Sequence, residues 1–180
     1  MKSFTLIELL VVIAIFSMVV GAITNAFFSS ISAQRKMLAE QELLNQVSYV
    51  LEYMGRAIRM AKKDDIEIFG QEINCLGGEN VNFETSSNFD SIKFRNYQNQ
   101  CQKFYLENEA IWEEKGEQSQ SFPLTSTSTL RITNLKFQVS GDSEGNQPRV
   151  TISLEVESAK IKNPPKLYFQ TTISQRDLNR

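Results

Sequence analysis

The sequence predicts an α+β protein, with a long N-terminal α-helix packed on a C-terminal antiparallel β-sheet. Three patterns predict it. From Leu9 to Phe28 no residue is charged, a run long enough for a membrane-crossing helix. From Val47 to Ala61 apolar residues recur at steps of three and four, the period of a helix with one buried face. From Ile92 onward the period falls to two, as on strands with one face in a core.

The chain has 180 residues, room for one soluble domain beside one membrane-length segment. Hydrophobic residues make up 41% and charged ones 22%, a globular rather than a disordered composition. Histidine is absent. That removes Ser-His-Asp and Cys-His catalysis and the commonest metal ligand, and leaves zinc only Cys75, Cys101 and carboxylates. No enzyme activity, cofactor or metal site is expected. The net charge of -2 divides into +1 over residues 1–61, -6 over 62–117 and +3 over 118–180. No single-sign stripe suited to a phosphate backbone emerges, so nucleic acid is not expected as the main ligand.

About twenty residues at about 1.5 Å each span roughly 30 Å, the thickness of a bilayer core. Lys2 precedes the apolar run and Arg35-Lys36 follow it, too few charges to orient it by themselves. A secretory signal peptide calls for a more basic start, a shorter apolar stretch and a small-residue cut beyond it. Glu8 argues further against that reading. A carboxylate at membrane depth is costly unless it is paired, which marks it as functional.

The run Ser3-Phe4-Thr5-Leu6-Ile7-Glu8-Leu9-Leu10-Val11-Val12-Ile13-Ala14-Ile15 resembles the type III signal of type IV pilins and type II secretion pseudopilins. The resemblance implies a leader of residues 1–3, cut by prepilin peptidase between Ser3 and Phe4, with Phe4 the N-methylated mature terminus. The family prefers Gly before the cut, where this chain has Ser3, itself small. Glu8 becomes the fifth mature residue and the assembly residue, pairing with the amine of Phe4 in the next subunit. That pairing leaves neither charge stranded in hydrocarbon, and it fixes axial register as well as energy.

On this reading residues 4–30 form the transmembrane and assembly helix, 31–63 its amphipathic continuation, and 64–180 a β-rich domain. Val47, Leu51, Met54, Ile58 and Ala61, with Val50 beside them, make the apolar stripe; Gln41, Asn45, Gln46, Glu52 and Arg56 lie largely off it. A continuous helix from Thr5 to Lys63 would be close to about 90 Å long. No proline interrupts it, and Gly21 is the flexible point before Gly55. Many major pilins carry a helix-bending proline in the anchor, so its absence favours a minor component. A heptad reading of residues 37–61 is the alternative, over a short stretch.

Downstream, Ile92-Phe94, Phe104-Leu106, Val150-Ile152-Leu154-Val156 and Leu167-Phe169-Thr171-Ile173 alternate as strands. Asn108-Glu109 marks a hairpin between Phe104–Glu107 and Ala110–Glu113. Leu130-Ile132 and Leu135-Phe137-Val139 are out of phase by one residue, which a bulge or turn near Thr133-Asn134 would repair. Gly141–Pro148 and Asn163-Pro164-Pro165 are expected as turns or loops. Ser119–Thr129, rich in Ser and Thr around Pro123, is expected as a linker or surface loop.

Cys75 and Cys101 suit one disulfide in an exported domain, closing a loop of about 25 residues; two separate thiols are the other reading. Asp142, Glu144 and Asn146 alternate faintly like calcium ligands, but Gly141, Gly145 and Pro148 fit a plain turn better. Glu113 and Glu114, adjacent on a strand, point to opposite faces and cannot act as a catalytic pair; a solvated acidic strand end is expected. For Trp112, core packing is favoured over partner binding.

The implied function is a structural minor pilin or pseudopilin of a type IV pilus, type II secretion or DNA-uptake system. Its length and final strands loosely resemble the J-class minor pseudopilins. Implied partners are other pilin or pseudopilin subunits, prepilin peptidase, the inner-membrane assembly platform, and membrane lipid before assembly. The implied location is the inner membrane, single-pass with the C-terminal domain outside the cytoplasm, and then an extracytoplasmic filament. The alternative is a tip adhesin-like binding module mounted on a pilin helix.

Overall fold

The computed structural model describes residues 5–63, 75–77, 81–116, 120–142, 146–160, 164 and 166–176. It bears out the α+β class: one N-terminal helix, α1 (Leu6–Arg59), followed by antiparallel strands in a five-stranded and a three-stranded sheet. The chain divides into two compact units, Met1–Gln41 and Glu42–Arg180.

In the first unit the helix is apolar around its whole circumference. Leu6 to Val20 and Ile23, Phe27 and Phe28 all leave their side chains exposed. Mean hydropathy reaches 2.8, and this helix alone among the described residues is long and apolar enough to cross a membrane. Three of its hydroxyls are satisfied internally. Ser17, Thr24 and Ser32 each donate to the carbonyl four residues back, at 2.8, 2.8 and 2.9 Å. A hydroxyl so paired makes no demand on a solvent that cannot hydrogen-bond.

In the second unit the helix keeps one stripe for a core. Leu43, Val47, Val50, Met54 and Ile58 are buried, while Glu52 and Arg56 on the other side pair with each other. The helix ends at Arg59, earlier than the Lys63 expected from the apolar stripe, because Ala61 and Lys62 leave helical bonding: the Lys62 amide donates to Arg95 O at 2.9 Å. Two further groups close that end. Arg176 N donates to Arg59 O at 2.8 Å, and the fully buried Gln175 gives its amide to Ala61 O at 2.8 Å.

The five-stranded sheet runs β1 (Phe83–Thr85), β2 (Ser91–Arg95), β3 (Cys101–Glu107), β4 (Ala110–Lys115) and β5 (Gln120–Pro123) in consecutive order. The three-stranded sheet runs β6 (Leu130–Ser140), β7 (Arg149–Ser158) and β8 (Leu167–Ser174). Both line one core with the helix stripe: Ile92, Phe94, Phe104 and Ile111 from the first, Leu135, Phe137, Ile152 and Val156 from the second. Phe83, Phe94, Phe104 and Tyr53 form a chain of ring contacts at 6.0, 5.7 and 6.2 Å between centroids. Offset ring pairs of this kind add to the stabilisation from buried area.

The turn chemistry follows the sequence closely. Asn108 and Glu109 both sit at positive φ, 49° and 61°, which twists a two-residue hairpin in the sense its strands need. The β6–β7 register shifts between Ile132 and Asn134, a bulge that returns Leu130, Ile132, Leu135 and Phe137 to the same core. Gly141, at φ 72°, lies where an added Cβ would come within 2.9 Å of Gln147 O. Asn163 and Pro165 of the other expected loop lie outside the described residues.

Three expectations need correcting. Residues 120–123, expected within a linker, form the edge strand β5, held by pairing to β4. Glu113 is buried rather than solvated, because its strand turns Ile111 and Glu113 together toward the helix. Trp112, expected in the core, is carried to the outer face by that same alternation and is half-buried.

Candidate assembly segment

The first turn of the helix is built by its own side chains. Thr5 Oγ1 lies 3.4 Å from Glu8 N, and Glu8 Oε2 accepts from Thr5 N at 3.0 Å and from Thr5 Oγ1 at 2.9 Å. This is a reciprocal capping box, a Thr followed three residues later by a Glu, and it closes donors the helix would otherwise leave open. Its spacing is visible in the sequence as Thr5-Leu6-Ile7-Glu8, although nothing but the charge of Glu8 singles it out. Glu8 is exposed, with apolar Leu6, Ile7, Leu9 and Leu10 around it. In this arrangement the carboxylate has a partner within its own chain, and an exposed side through which a cation can reach it. Ser3 and Phe4, the expected cleavage and methylation positions, lie outside the described residues.

Cys75 and Cys101 are joined in a disulfide with Cα atoms 5.3 Å apart, across a separation of 26 residues. Cys75 is buried, and Cys101 opens β3 opposite Arg95. The bond therefore ties the segment after the helix to the start of a central strand.

Asp142 has a structural use. Its carboxylate accepts from Asn82 Nδ2 at 2.6 Å, from Asn82 N at 3.2 Å and from Phe83 N at 3.3 Å. A carboxylate facing three donors is arranged for those donors and not for a cation. Glu144 lies outside the described residues.

One polar cluster escaped the sequence reading. Glu113 receives Tyr53 OH at 2.9 Å on each oxygen and Gln102 Nε2 at 2.5 Å. Burial pushes the Tyr53 hydroxyl up to about 12, and the bond to Glu113 adds to it. Tyr53 and Glu113 stand 60 residues apart, so only the Leu51-to-Met54 phase of the helix could have hinted at their meeting.

Residues 1–24 match the family model of the prokaryotic N-terminal methylation motif. No curated protein and no solved structure matches the chain.

Proposed function

We propose that this chain, whose residues 1–24 match the prokaryotic N-terminal methylation motif, is a minor structural subunit of a type IV pilus-like filament. The family is a structural one and its motif implies prepilin peptidase as the processing enzyme. In our reading the peptidase cuts between Ser3 and Phe4 and Phe4 is methylated. The apolar helix holds the subunit in the inner membrane, with the β-domain outside the cytoplasm, until the assembly platform hands it to a filament.

The observation that carries this reading is the single acidic side chain at the head of an all-round apolar helix. Leu6 to Phe28 suit either lipid or a bundle of like helices, and neither tolerates a lone carboxylate well. The amine created at Phe4 supplies the opposite charge, and a neighbouring subunit brings it at one axial offset only. The capping bond from Thr5 gives Glu8 a local partner until then.

Two measurements test it. Mass spectrometry of the mature chain is expected to begin at methylated Phe4; a terminus at Met1 would overturn the processing. Glu8→Ala is expected to insert in the membrane normally while its recovery in sheared filaments falls at least about tenfold, the scale of one lost buried pairing. Normal recovery would sink the pairing argument.

A further inference from the structure

The outer face of the five-stranded sheet carries a neutral cleft floored by a fixed indole. Cross-strand register sets Tyr105, Trp112 and Pro123 side by side on β3, β4 and β5, two aromatic rings and a pyrrolidine in a row. Trp112 donates its indole N–H to Glu107 O at 3.1 Å, which fixes the tilt of the ring. Tyr105 is held in the same way, by its hydroxyl on Ser121 Oγ at 3.2 Å and by Lys103 Nζ 5.1 Å from its ring centre. Beside Trp112 opens a cleft of about 500 Å³, with Ala110, Pro123 and Leu124 as its other apolar lining and Asn108, Thr125, Ser126 and Thr127 as its polar lining.

The lining selects a ligand chemistry. Among the described residues no charged side chain lines the cleft, so phosphates, nucleic acids and metal ions gain nothing specific there. Thr125 Oγ1 is occupied by Ile111 N and Ser126 Oγ by Ser128 Oγ. The side chains of Asn108 and Thr127 are exposed, so an amide and a hydroxyl can offer a donor and an acceptor to something that enters. An exposed π-face is electronegative and favours a surface of polarised C–H groups. A molecule that presents such a C–H face to Trp112 and its apolar neighbours, with hydroxyls around its rim and no charge, suits this lining; a pyranose ring is such a molecule.

We infer that this cleft binds a neutral oligosaccharide, with one pyranose ring stacked on Trp112 and its hydroxyls bonded to Asn108 and Thr127. A volume of about 300–1,000 Å³ is the ordinary range of ligand sites, and the cleft falls within it. The inference stands apart from processing at Phe4 and pairing at Glu8, since every residue involved lies on the β-domain.

The protein supplies its own probe, because Trp112 is the one tryptophan in the chain. The full chain, in a zwitterionic detergent without a sugar headgroup, is titrated with cellotetraose, chitotetraose and maltotetraose while tryptophan emission is followed. A saturable shift with at least one of them is expected. Saturation-transfer NMR on that sugar is expected to lose its signal at least about tenfold in Trp112→Ala and to keep most of it in Trp112→Phe, where a ring remains. Thr127→Val, which removes one hydroxyl at constant shape, is expected to weaken binding about threefold or more, guarding against a misfolded Trp112→Ala. Silence from all three sugars overturns the inference. So does a transfer signal undiminished in Trp112→Ala, or a larger emission change with a polyproline peptide or dextran sulfate.

Discussion

The two halves of the one helix use apolar residues in opposite ways. Leu6 to Phe28 place them on every side and bury none; Leu43 to Ile58 confine the buried ones to one stripe and cover it with two sheets. The same residue types thus carry different information according to period. An all-round apolar helix is matched to a surrounding without water, whereas a stripe is matched to one particular protein surface. The first half has no tertiary packing of its own to lose, and the second has little else.

Truncation of each half tests that difference most directly. Met54→Ala, in the stripe at full burial, is expected to cost about 2–5 kcal/mol in denaturant unfolding of the β-domain. Ile13→Ala is expected to shift that transition by less than about 0.5 kcal/mol, the ordinary effect away from a packed core. A large effect of Ile13→Ala would erase the distinction between the halves. Cys101→Ser frees a loop of about 25 residues and is expected to cost about 3 kcal/mol under oxidising conditions. The same loss on adding reductant to the unsubstituted chain would assign the effect to the bond.

Tyr53 sharpens the comparison by pH. Its ionisation is raised from 10.0 to about 12 in the folded domain. A raised value means the contribution is whole below pH 10 and is lost as pH climbs from 10 to 12. Alkaline unfolding followed by circular dichroism is therefore expected to lose part of its steepness over that window in Tyr53→Phe. An identical profile would remove Tyr53 from the account. The smallest effect is expected at the Glu42–Lys160 pair, 2.7 Å apart with both side chains nearly half exposed. Glu42→Ala should change stability by about 0.5 kcal/mol or less, and less still in salt.

What the sequence disclosed follows from the range of the interactions involved. The Asn108-Glu109 hairpin and the bulge at Thr133-Asn134 depend on neighbours a few positions away, and both were legible as a turn signal and a phase slip. The helix stripe was legible for the same reason. Trp112 and Glu113 were assigned to the wrong faces because residue type was weighed above alternation. A Trp suggests burial and a Glu exposure, but Tyr53 and Gln102 supply the donors that let the carboxylate go inside. That supply comes from far along the chain and leaves no local mark. Strand β5 was hidden for a related reason, since Gln120–Pro123 is held as a strand by its pairing with β4. At the candidate assembly segment the letters conveyed charge and order, while the hydrogen bonds from Thr5 to Glu8 add how that charge is held.

The clamp on the helix end also has a consequence in time. Ala61 waits for Gln175, a residue made 114 positions later. At roughly 5–20 residues per second, the interval is on the order of ten seconds. Throughout it the apolar run that starts the chain is already synthesised, while the helix end lacks its partners and the sheet lacks β8. A run apolar and long enough to cross a membrane therefore exists well before the domain can close. In a chain built in this order, the segment suited to a bilayer comes first and the residue that closes the domain comes nearly last.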